Sequence, residues 1–171
     1  MSICVDYFFN HEDQLPTLSR KVGGWLGCFL APYEGNPQDL FSRFLGMELD
    51  IGKHSFENDR DLNFEDYTYR LGLRTPIPDG DLRRMQIPAM VLIAHALFYR
   101  MNLKGMLVYD MQYILARYEE RIDLKGSGTE EMFDGVSGEF VILPRHFDML
   151  DKRLGELLLC VAAGGITKPC S

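Results

Sequence analysis

Residues 86–101 are apolar on nearly every side of the helix they would form: Ile87, Met90, Val91, Ile93, Ala94, Leu97, Phe98 and Met101 leave no wet stripe. Such a helix persists in water only when other elements cover it on several sides, so the pattern predicts a central, buried helix with the rest of the chain built around it. The run from Ile87 to Tyr99 is interrupted by Pro88 and His95, and falls short of the ~20 apolar residues that span a bilayer. A chain of 171 residues is expected to bury roughly 70% of the surface its unfolded form exposes, so it needs no metal or disulfide to fold. Residues 1–171 read as a single globular domain, with about six residues fraying at the end.

Around that helix, Ile3 to Phe9 reads as an opening strand, and Leu15, Leu18, Val22 and Trp25 place a first helix over 14–22, weakened by Gly23-Gly24 and Gly27. A short strand near 27–31 and a turn at Pro32–Gly35 follow. Asn36-Pro37 reads as a helix start, with Leu40, Phe41, Phe44 and Leu45 as its buried face and Gly46 as its C-cap. Met47, Leu49 and Ile51 alternate with Glu48 and Asp50, and Tyr67, Tyr69, Leu71 and Leu73 alternate with Thr68, Arg70 and Gly72. Both read as strands with one wet face. A polar connection, 52–63, joins them with Phe56 as its one large apolar residue, and the loop 76–81 is read as neither helix nor central strand.

Met106 to Tyr109 begins another strand, and Ile114 to Tyr118 continues it or pairs with it, with a helix over 111–121 left open. Beyond lie a loop at Lys125–Thr129, a strand at Phe140–Leu143 and a helix from Pro144 carrying Phe147, Leu150, Leu154, Leu157 and Leu158, which Gly164-Gly165 ends. Strands that follow one another without helices between them predict an α+β fold: a largely antiparallel sheet packed with about four helices, one of them central and buried.

The net charge is −7, which argues against direct binding of nucleic acid, since that requires a basic face. The acidity is uneven. Residues 48–66 and residues 119–139 each carry net −5, so the remainder carries +3. Both acidic segments also contain or adjoin aromatic residues: Phe56, Phe64, Tyr67 and Tyr69 in one case, Tyr118 and Phe133 in the other. Acids steer a basic partner and aromatic side chains anchor it, so the expected partner-binding residues are Glu57, Asp59, Asp61, Glu65, Asp66, Tyr67, Tyr69, Glu119, Glu120, Glu130 and Glu131. A solvated surface that keeps the protein soluble is the plainer explanation of the same charges.

No catalytic or metal-binding pattern and no cofactor motif stands out. His54 lies near Glu57 and Asp59, where a cation site would need it, yet a solvated loop histidine accounts for it. His95 reads as a hydrogen-bonded core histidine, and His11 and His146 as surface residues. Cys4, Cys28, Cys160 and Cys170 form no CxxC pair and read as reduced thiols, and Met1–Asp6 lacks the features of a secretory signal. A cytoplasmic protein is the expectation, with no membrane partner and no predicted homo-oligomer. One alternative is a small hydrolase or transferase whose site assembles from His54 or His95 with Asp110 and Cys28. Another is an adaptor or structural subunit that self-associates through exposed aromatics.

In size, acidity, mixed layout and an apolar stretch such as Gly105-Met106-Leu107-Val108-Tyr109-Asp110, the chain resembles the immunity proteins of bacterial contact-dependent growth inhibition and other polymorphic toxin systems. The resemblance implies a protein that binds one cognate toxin domain, often a basic nuclease, and occludes its active site or substrate path.

Overall fold

The computed structural model describes residues 4–26, 28–33, 36–44, 46–75, 80–120 and 122–124. They form one antiparallel sheet of eight strands in the order β2-β3-β4-β5-β1-β6-β7-β8. The strands are β1 (Cys4–Phe9), β2 (Ala31–Tyr33), β3 (Asn36–Phe44), β4 (Met47–Lys53), β5 (Tyr69–Arg74), β6 (Gly105–Tyr109), β7 (Tyr113–Tyr118) and β8 (Ile122–Leu124). Two helices, α1 (Leu15–Leu26) and α2 (Gly80–Met101), complete the described elements with a single turn at Phe64–Asp66. The expectation of about four packed helices is therefore corrected: two are present among the described residues. The strand and helix expected after residue 139 lie outside them.

The segment from Asn36 is a strand, not a helix. Leu40 and Phe44 are four residues apart, a spacing that puts two side chains on one side of either element. Pairing decides the outcome: Leu40 lies opposite Ile51, Ser42 opposite Leu49 and Phe44 opposite Met47, which joins buried Leu40 and Phe44 to the core face of β4. Gly46, at φ 77°, lies in the turn between these strands instead of capping a helix. The helix alternative for 111–121 is likewise replaced by β7, which pairs with β6. Asp110 and Met111 (φ 50° and 58°) make the tight connection between those two strands, closed by the Gln112 N–H on the Tyr109 carbonyl at 3.1 Å.

The helix α2 is central as expected, with Ala89 through Leu97 buried, and it starts at Gly80, earlier than the loop expectation for 76–81 allowed. Its chain connection carries β5 to β6 across β1, which lies between them. The Gln86 amide donates to the Leu73 carbonyl and ties the helix to the sheet. Helix α1 outlasts its two glycines and runs to Leu26. Gly23 is needed there for close approach, because a Cβ on it would lie 2.6 Å from the Cys28 carbonyl oxygen. No described helix is long and apolar enough to cross a membrane.

Both helices pack on one face of the sheet, against Val5, Tyr7, Phe9, Leu49, Ile51, Leu71, Leu73, Leu107 and Tyr118. A bulge between Leu107 and Val108 leaves Leu115 without a partner on β6, so Leu115 and Ala116 both enter this core. The opposite face carries a smaller cluster of Phe8, Leu62, Phe64, Met106 and Val108. Gly105 admits no side chain, since its Cβ would lie 2.1 Å from the Phe8 carbonyl oxygen, whereas a Cβ at Gly24 meets nothing within 4 Å. Gly105→Ala should cost about 3 kcal/mol in urea unfolding, and Gly24→Ala should gain about 0.5–1 kcal/mol.

Candidate functional site

The second face of the sheet holds the functional candidates. The connection from His54 to Thr68 lies across it, fixed by apolar contacts beneath and neutral hydrogen bonds at its margins. Phe8 is the anchor: its ring centroid is 4.9 Å from His54, 4.8 Å from Phe64 and 6.0 Å from Phe56. Asn10 holds one end, accepting from the Thr68 N–H at 2.8 Å and donating to the Asp66 carbonyl. Asn58 and Glu65 bond reciprocally across the connection, and Asp59 and Leu62 exchange main-chain bonds around Arg60, at φ 52°.

Arg117 locks the connection onto β7. Its guanidinium donates to the Asn63 side-chain oxygen at 3.0 Å and to the Asp61 carbonyl at 2.9 Å, so neutral acceptors take its hydrogen bonds. The carboxylates are left outward. Glu57, Asp59, Asp61, Glu65, Asp66 and Glu119 are exposed and make no ion pair among the described residues. A groove of about 970 Å³ runs between the 59–62 turn and β7, lined by Asp59, Asp61, Leu62, Tyr113 and Arg117 among others. Phe56 exposes 40% of its surface beside these acids, and Tyr113, at the rim of the groove, exposes 61%.

Beside the aromatic cluster lies a polar row. Asp6, Gly72 and Asp50 are directly opposite one another on β1, β5 and β4. A Cβ on Gly72 would come within 2.7 Å of Asp6 and 2.9 Å of Asp50, so the glycine makes room for two carboxylates. Arg70 pairs with both of them, and Arg74 approaches Asp50 at 3.6 Å. Burial holds the Asp6 carboxyl above its ordinary range, against the pull of Arg70, and also pushes the neighbouring Cys4 thiol up to about 12. A thiol so raised is a poor nucleophile. The row welds three strands together and opens no reactive group.

The sequence-derived candidates divide. The first acidic segment and Glu119 come together: the half-buried Tyr67 phenol is raised by burial, with Arg117 opposing and Glu119 and Asp66 adding to the rise. Glu120 is also exposed and pairs with Lys104. Tyr69 belongs instead to the helix-side core, its hydroxyl on the Asp13 carbonyl at 2.9 Å, and Tyr118 is fully buried there. Glu130, Glu131 and Phe133 lie outside the described residues.

His54 packs on Phe8 and Phe56, its Nδ1 accepting from the Phe56 N–H at 3.2 Å, and desolvation lowers its pKa. Among the described residues no group of three His, Cys, Asp or Glu side chains is arranged to hold a metal ion. His95 lies on the other side of the sheet, buried with Nδ1 2.9 Å from the Val91 carbonyl and 2.8 Å from the Tyr118 hydroxyl. The postulated enzyme residues His54, His95, Asp110 and Cys28 thus lie on different elements, with the two histidines on opposite faces of the sheet. Tyr113, Arg117 and the polar row went unnoticed in the sequence; the one signal for the first two was strand pairing at 114–118. Comparison with protein-family models, curated proteins and solved structures gives no match.

Two stability tests follow from these groups. Arg70→Met strands two carboxylates and should cost about 3–5 kcal/mol at neutral pH, and adding Asp6→Asn should recover part of that loss. Burial lowers the His95 pKa from 6.5 to about 4. As pH falls below 6.5 the unfolded chain binds a proton that folded His95 refuses, so its contribution to stability is intact above 6.5 and lost toward 4. The loss should total roughly 3 kcal/mol, and His95→Gln should remove that part of the slope in pH-dependent urea unfolding.

Proposed function

We propose that the protein works by binding another protein, as a cytoplasmic immunity protein that neutralises a cognate, basic toxin domain by covering its active site or substrate path. The observation that carries this reading is the group of outward carboxylates on the 54–68 connection and at Glu119, which make no ion pair among the described residues and stand beside exposed Phe56 and Tyr113. Carboxylates that no internal cation neutralises keep their field for an incoming one, and long-range attraction of this kind raises the encounter rate. A rigid backing matters equally: Arg117, Asn58, Asn63 and Asn10 fix the connection by hydrogen bonds, so little ordering cost remains at the moment of binding. Phe56 and Tyr113 then supply the short-range contacts that slow dissociation.

The test uses a toxin domain encoded beside this protein. Glu57→Lys/Asp59→Lys/Asp61→Lys should lower the association rate about tenfold or more at low salt with a small effect on dissociation, whereas Tyr113→Ala should chiefly speed dissociation. Stopped-flow binding across a salt series reads both. Equal association rates at low and high salt would sink the steering half of the proposal.

A further inference from the structure

The helix layer carries a surface of opposite character. Along α1 the exposed residues include Arg20, Lys21, Gly24 and Trp25, and Gly24 leaves this stripe flat. Trp25 exposes 45% of its surface with the Arg100 guanidinium 4.4 Å from its ring centroid, and neighbouring Tyr99 exposes 46%. Among the described residues the acids beside this stripe are Asp13, which pairs with Lys21, and exposed Glu12 on the turn that enters α1. Trp, Tyr and Arg together are the residue types that dominate binding energy at protein interfaces.

The same molecule therefore presents an acidic surface with exposed rings on one side of its sheet and a basic surface with exposed rings on the other. A single copy cannot bring these surfaces together, because the sheet stands between them. We propose that the α1–α2 surface of one copy docks on the acidic face of a second copy, head to tail, with Arg20, Lys21 and Arg100 set against the carboxylates of the 57–66 segment and Trp25 beside Phe56 or Tyr113. A contact between two different surfaces need not close on itself, so copies add in open chains. The inference rests on the proposed function in one respect, that the acidic face is a binding face. It adds a regulation: copies mask one another until a better-matched basic partner displaces them.

Trp25 is the sole tryptophan, so its fluorescence reports on this surface directly. Raising the concentration of the full chain from micromolar to millimolar at low salt should move its emission to shorter wavelength and raise the sedimentation mass above the 19.6 kDa monomer, with both effects reversed by high salt. Asp59→Lys/Asp61→Lys and Lys21→Gln/Arg100→Gln should each be monomeric alone, and an equimolar mixture should form a 1:1 dimer that grows no further. Arg20→Gln/Lys21→Gln replaces the second variant if circular dichroism shows that one unfolded.

A protein that stays monomeric throughout overturns the inference and leaves the toxin-binding experiment unaffected. Self-association that persists in the acidic-face variant alone also overturns it, since that outcome makes the contact symmetric between helix surfaces.

Discussion

Helix α2 has no polar face from Ala89 to Leu97, and the rest of the structure answers that constraint. An element apolar all round is stable only when covered, and the sheet covers one side of it by placing β1 centrally, between β5 and β6, which the helix connects. This explains why β1 is the most buried strand, with Val5, Tyr7, Phe8 and Phe9 all inaccessible. The polar groups drawn inside are bonded locally: Gln86 to the Leu73 carbonyl, Tyr7 to the Leu103 carbonyl, His95 to Val91 and Tyr118. Each bond offsets the cost of taking a polar group out of water.

Covering α2 with one face of the sheet leaves the other face for different work. Phe8 holds the 54–68 connection through its apolar ring, while Asp6, two residues away on the same side, joins Arg70 and Asp50 in a buried ionic row. The two halves of this face have different roles. The ionic row fixes strands to one another and turns its charges inward. The aromatic half fixes a connection whose carboxylates point outward, and only that half presents charge to a partner.

The strands β4 and β5 and helix α1 were legible in the sequence from their apolar periods, and β1, β6 and α2 as apolar runs bounded by polar or turn residues. The strand β3 was not, because Leu40 and Phe44 satisfy either period and Asn36-Pro37 favours a helix start. Its identity depends on Met47, Leu49 and Ile51 across the ladder, a non-local fact. The acidic character of the candidate site was equally plain, but its membership was not. Tyr67 and Tyr69 share an alternation, yet Tyr67 precedes β5 and rests on the apolar cluster, while Tyr69 enters the helix-side core. Asp50 read as a wet-face residue and is buried by Arg70, whose position across the ladder no local pattern shows.

The bulge at Leu115 has a wider reach than its size suggests. One extra residue sets which way every later side chain of β7 faces, and so puts Arg117 on the 54–68 connection and Tyr118 against His95 at once. Pairing β7 with β6 without the bulge, every residue kept, would exchange those two directions, sending a cation into the core and a phenol into solvent, whereas deleting Leu115 would leave both as they are. The outward face and the core are therefore coupled through the register of one ladder, and their side chains can vary independently only while that register holds.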